Sequence, residues 1–193
     1  MGSIRAFVAF DTPEAIRPAM SSVQSELRKA EADVSWEPPE KFHATIKFLG
    51  NVSEPLLGSV LAKIQQSAAY SVSFEVSYRT LGCFPDQKNP RVVWIGCENS
   101  DGGLDLLKTA LDVELLGLGF DVDKREFHPH VTLGRVKSPR GAKNLTPLLK
   151  SLTFEPRTAV ITEILLMKSV LKARGSEYTA LHQFQLKPRP GVS

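Results

Sequence analysis

The chain has 193 residues, 42% hydrophobic and 23% charged, enough to bury one substantial core and close to the usual size of a single domain. No stretch approaches the roughly 18 consecutive apolar residues of a membrane span, the start lacks the apolar core of a secretory leader, and Ala6 stands where a myristoylation signal needs Ser or Thr. Two cysteines, Cys83 and Cys97, are too few for a disulfide framework, and 24 basic against 21 acidic residues give +3, which permits a polyanionic partner without arguing for one; a reduced, cytoplasmic protein is expected.

The opening run Ile4 to Phe10 is rich in strand formers, and Asp11-Thr12-Pro13-Glu14 supplies an N-cap, a first-turn proline and an early acid. Ile16, Met20, Val23, Leu27 and Ala30 then recur at helical spacing, predicting an amphipathic helix that ends near Ala32. Val34 to Trp36 and His43 to Leu49 read as strands separated by a turn at Pro38-Pro39, and Gly50-Asn51-Val52-Ser53 breaks to a helix carrying Leu57, Val60, Leu61 and Ile64. Strands at Val72 to Leu81 and Val92 to Cys97 follow, joined by a loop from Phe84 to Pro90, then a helix from Gly103 to about Leu116. The remainder reads as a strand from Glu126 to Val136, a short helix at Leu145 to Leu149, and strands at Ala159 to Lys168 and Tyr178 to Leu186.

This alternation predicts an α+β fold with antiparallel sheets. Val34 to Ile64 and Val122 to Leu149 each contain a strand with His-x-Thr, a break and a leucine-bearing helix. That internal symmetry predicts residues 1–193 as one bilobal domain, two related lobes each with an antiparallel sheet and outer helices and a cleft between them.

The chemistry sits in His43-Ala44-Thr45 and His130-Val131-Thr132. In a strand, side chains at i and i+2 share a face, so each histidine and its threonine look into one space. A neutral imidazole can take a proton from water while a protonated one gives a proton to a leaving oxygen, and both forms exist near neutral pH. Threonine hydroxyls beside them can hold phosphate oxygens, with no metal or other cofactor required. A single His-x-Thr is more simply a hydrogen-bonded strand histidine; two in matched contexts favour function.

Arg5-Ala6-Phe7-Val8-Ala9, His43 to Gly50, Arg91-Val92-Val93-Trp94 and His128 to Arg135 resemble successive motifs of one family, the RNA 2′,3′-cyclic phosphodiesterases of the two-histidine phosphoesterase superfamily, also called 2′-5′ RNA ligases. Leu166 to Ser169 with Tyr178 is similar to the family's ending, so the resemblance covers nearly the whole chain. It implies hydrolysis of an RNA terminal 2′,3′-cyclic phosphate to a 2′-phosphomonoester, with His43 protonating the 3′-oxygen, His130 activating water, and Thr45 and Thr132 holding phosphate. It implies RNA as partner, no membrane and no metal; a monomer is the default.

Further candidates for substrate binding are Arg135, Phe48, Arg5 and Arg91. Strict alternation points Arg135 away from His130 and Thr132, so a phosphate contact needs a bend, for which Gly134 is suited. Phe48 can stack on a base, although core packing is the simpler expectation. Arg5 and Arg91 open apolar strands and can line the cleft or merely flank it. His128 is expected to share the face of His130, more plausibly as a hydrogen-bonding neighbour than as a metal ligand, and His182 to be structural. Lys47 departs from the more apolar strand of relatives and, by alternation, shares the His43 face as a cleft cation or a residue reaching solvent. Two other readings stand beside hydrolysis: reversible 2′-5′ ligation, in which a ribose hydroxyl must outcompete water, and a non-catalytic RNA-binding module.

Overall fold

The structure, a computed structural model, describes residues 2–172 and 175–189. Its elements run β1 (Ser3–Asp11), α1 (Arg17–Arg28), β2 (Val34–Trp36), a 3-10 turn (Pro39–Lys41), β3 (His43–Ser53), α2 (Glu54–Tyr70), β4 (Phe74–Phe84), β5 (Val92–Glu98), α3 (Gly103–Leu116), β6 (His130–Val136), α4 (Ala142–Ser151), β7 (Arg157–Ile161), β8 (Glu163–Lys172) and β9 (Gly175–Gln185). Among the described residues no helix is long and apolar enough to cross a membrane.

The strands order as β7-β4-β5-β6-β3-β1-β8-β9, with β2 added to β6, and every strand pairing is antiparallel. The path narrows to a single register pair in the middle, Ala44 opposite Val131, where β3 meets β6. On one side lie β3, β1, β8 and β9, and on the other β6, β5, β4, β7 and β2. This is the α+β, two-lobed architecture expected.

Each half is covered by two helices. Gln24 of α1 donates to the carbonyls of Leu133 and Glu37 at 2.8 and 2.7 Å, and Asn144 of α4 donates to Ala30 at 3.1 Å, so this pair lies against β6 and β2. Helices α2 and α3 pack together, with Lys63 and Glu114 paired at 2.7 Å, and α3 is tied to β3 by Lys47 Nζ on Asp112 at 2.6 Å. The strand burial pattern alternates clearly in β5, where Val93, Ile95 and Cys97 face the core.

Several boundaries move from the sequence reading. Asp11 does not cap α1; it stays in β1 opposite His43, with its carboxylate held by Arg17 at 2.7 Å, and the helix starts at Arg17 with proline in its first turn. Gly50 does not end β3, because a positive φ of 70° carries the strand past a bulge and pairing with β1 continues to Ser3–Ser53. The strand expected from Glu126 begins only at His130. The short helix expected at Leu145 to Leu149 extends over Ala142–Ser151 with Pro147 inside it. The single strand expected over Ala159 to Lys168 is two: Ile161 pairs with Phe74 in one half and Glu163 with Gln185 in the other, with Thr162 between them. The helix at Gly103 begins where expected, its first amides accepted by Asp101 and Asn99 at 3.0 and 2.9 Å.

Lys47 does not reach solvent. Its side chain is 3% exposed and donates to Asp112, itself 10% exposed, and to the carbonyl of Asp121 at 2.9 Å, while Lys108 binds the other oxygen of Asp112. Removing the carboxylate strands a buried cation, so Asp112→Ala is expected to lose about 3–5 kcal/mol in urea unfolding, whereas the double change Lys47→Met with Asp112→Leu loses much less.

Candidate active site

The Ala44–Val131 pair turns both small central residues into the core and leaves His43, Thr45, His130 and Thr132 on the opposite, cleft face. Antiparallel pairing about that point sets His43 toward Thr132 and His130 toward Thr45, a local two-fold arrangement. All four line one cavity of about 1010 Å³ between the two halves.

The imidazoles are oriented alike. His43 Nδ1 lies 2.7 Å from the carbonyl of Lys41, and His130 Nδ1 lies 2.7 Å from the carbonyl of His128. A carbonyl only accepts, so each Nδ1 carries the hydrogen in the neutral ring and each Nε2 is left as the free nitrogen. Each ring is also walled by aromatics. Phe7 and Tyr178 stand 5.1 and 4.9 Å from His43, and Phe84 and Trp94 stand 5.0 and 6.0 Å from His130.

This setting fixes the direction of the pKa shifts. Burial pushes the His43 imidazole below its ordinary value; the Lys41 carbonyl and Asp11 oppose that, and Arg135 and His130 add to it. Burial likewise pushes His130 down, opposed by the His128 carbonyl and reinforced by Arg135 and His128. Asp11 is itself raised, burial outweighing its pair with Arg17. The Glu37 carboxyl, on the cavity wall, is raised by burial against the pull of Arg135 and Lys41.

The remaining candidates divide. Arg135 does reach the cavity: pairing runs from Val93–Gly134 to Trp94–Thr132 and skips Leu133, and this bulge returns Arg135 to the face of Thr132. Gly134 is required beside it, since a Cβ there would lie 2.7 Å from Trp36 and Val34. Phe48 is not core: it is 64% exposed, lines the cavity and lies 6.0 Å from Phe7. Arg5 is exposed on the cavity wall, whereas Arg91 is exposed at the foot of β5 and does not line it. The His128 side chain meets Glu126 at 3.3 Å, so its link to His130 is through the backbone carbonyl, and His182 packs 4.6 Å from Phe184 on an edge strand. Among the described residues no group of three or more His, Cys, Asp or Glu is placed to hold a metal.

Sequence reasoning gave no role to the aromatic walls, although three of these residues fall in the quoted motifs. It also missed Glu37 and the segment from Asp121 to Phe127, which has no regular structure yet lines the cleft.

The model of the LigT like phosphoesterase family matches residues 10–94 and again 95–176, one match around each histidine. The chain is 36% identical to the RNA 2′,3′-cyclic phosphodiesterase of Methanothermobacter thermautotrophicus over 95% of this chain and 99% of that protein. It is 33% identical to the enzyme of the same name from Aquifex aeolicus, over 96% and 99% respectively. A crystal structure of a Thermus thermophilus protein superposes with a TM-score of 0.80 at 27% identity, covering 96% of this chain and 99% of that one. Escherichia coli LigT in complex with 3′-AMP has the same fold, with a TM-score of 0.75 at 24% identity over 96% and 99%.

The proton balance can be read directly. Both imidazoles are expected to titrate by NMR below the ordinary value of about 6.5, and Arg135→Gln, which removes a cation near both, is expected to move both midpoints upward. Because the folded values lie below the unfolded ones, the two histidines cost no stability above about pH 6.5 and cost progressively more as pH falls from there through the folded midpoints.

Proposed function

The chain belongs to the LigT-like phosphoesterases, and we propose that it hydrolyses the 2′,3′-cyclic phosphate at the end of an RNA to leave a 2′-phosphomonoester. The observation that carries this reading is the mirrored pair of imidazoles, each with Nδ1 tied to a backbone carbonyl and Nε2 free, each facing the other's threonine.

In this reaction a water oxygen bonds to phosphorus as the P–O3′ bond breaks. His130 Nε2 takes the water's proton and His43 gives one to the departing 3′-oxygen, so the two histidines exchange protonation states over one turnover. Burial favours the neutral ring, which is the form a base needs. The acid partner needs a proton, and the bound phosphate anion supplies the nearby negative charge that draws one onto His43. Asp11, whose carboxylate also favours protonated His43, supports this assignment of roles.

Thr45 and Thr132 donate hydroxyls to the non-bridging oxygens, and Arg135 supplies a cation on the same wall. The residues named are sufficient to shift charge and protons without a metal. Phe48, exposed at the mouth, offers a base a sequence-tolerant stacking surface, and the cavity is larger than one mononucleotide fills, which suits an RNA end.

The test is the rate on an RNA oligomer ending in 2′,3′-cyclic phosphate, measured with a chelator present. The parent is expected to release a 2′-phosphate end, and His43→Ala and His130→Ala each to lose roughly a hundredfold or more while still binding the RNA. An inert parent, or variants that keep full activity, overturns the assignment and leaves an RNA-binding module of this fold.

A further inference from the structure

A cleft that accepts a phosphate should be lined by donors and cations, yet its wall includes the half-buried carboxylate of Glu37. Its position is firmly set. Trp36 pairs with Gly134, the Glu37 amide donates to the Leu133 carbonyl at 2.9 Å, and Gln24 donates to both the Glu37 and Leu133 carbonyls. Leu133 is the bulged residue between Thr132 and Arg135, so Glu37 stands beside the strand segment that carries the phosphate-facing groups. Four residues on, Lys41 supplies the carbonyl that orients His43.

Among the described residues no Lys, Arg or His nitrogen lies within 4 Å of the Glu37 carboxylate, although Arg135 and Lys41 are close enough to attract it. Such a placement gives the fold nothing. Burial penalises the charge, no ion pair repays it, and it weakens the cleft's attraction for any anion. A glutamine of the same shape avoids all three.

The reaction supplies the reason. On the reading proposed above, the substrate is a cyclic diester with one negative charge and the product is a 2′-phosphomonoester with about −1.5 to −2 at neutral pH. A cleft made purely of cations and donors therefore binds its product more tightly than its substrate, and release limits turnover. We propose that Glu37 is a charge-discriminating residue, a fixed anion that repels the dianionic product more than the monoanionic substrate and so expels the 2′-phosphate end. It takes no part in proton transfer. Because the repulsion scales with the ligand's charge, the factor by which Glu37 weakens a dianion is about the square of that for a monoanion.

The proposal is tested with Glu37→Gln in the full chain, using an RNA oligomer ending in 2′,3′-cyclic phosphate and the same oligomer ending in 2′-phosphate as inhibitor. The expected result is a product Ki lowered roughly tenfold, a substrate KM lowered roughly threefold, and a reduced kcat in steady state with the single-turnover rate little changed. Binding of the same oligomer ending in a free hydroxyl is expected to stay the same. If the 2′-phosphate Ki is unchanged or rises, or if the single-turnover rate falls with kcat, Glu37 contacts the substrate or its water and the proposal is wrong. An inactive parent defeats the proposed reaction instead, and 2′-phosphate binding measured directly to both proteins still decides the role of Glu37.

Discussion

The site depends on one backbone pairing. Ala44 opposite Val131 is the single register pair between β3 and β6, and it brings together two half-sheets that otherwise belong to different helical layers. Both residues are fully buried and small or β-branched, so the strands approach closely and their neighbours at ±1 must face the cleft. Antiparallel direction then makes the arrangement reciprocal: one strand's histidine is presented beside the other strand's threonine. A slip of either strand by one residue would turn its histidine into the core, and a parallel pairing would set histidine beside histidine instead of beside threonine.

Around this point the protein surrounds the two imidazoles with partly buried, uncharged immediate neighbours. The orienting acceptors are backbone carbonyls, not carboxylates, and the walls are aromatic rings. A carboxylate in direct contact would shift its imidazole toward the charged form; carbonyls fix the tautomer with less bias. Charge is kept at one remove instead, with Arg135 acting on both rings and Asp11 on His43 alone. That difference breaks the symmetry of an otherwise mirrored pair.

Much of this was legible in the sequence because it rests on short-range rules. The alternation around each His-x-Thr set the facing of four side chains, the repeated pattern gave two lobes, and Gly134 marked the place where Arg135 turns back to the cleft. What failed depended on partners distant in the chain. Phe48 looked like core because it sits in an apolar run, but the bulges between β1 and β3 reverse its facing. Lys47 reads as a cleft cation or a strand-end one; it does line the cleft, but its burial left no local mark because Asp112 and the Asp121 carbonyl lie 65 and 74 residues away. Asp11 read as a helix cap because its pairing with His43 is a tertiary fact. The change of partner at Thr162 left no local mark, since both flanking runs are apolar and strand-forming.

The C-terminal hairpin carries a consequence for how the molecule comes into being. Strand β1, made before every other element of the sheet, is flanked on one side by β3 and on the other by β8, and the ring of Tyr178 on β9 closes the wall around His43. The first histidine therefore lacks its finished surroundings until β8 and β9 have been made. A nascent or prematurely terminated chain carries both His-x-Thr strands yet exposes an unpaired β1 edge and a half-open, wet imidazole. The surroundings of the first histidine are thus the last to be completed, although the strand that carries it is among the first made.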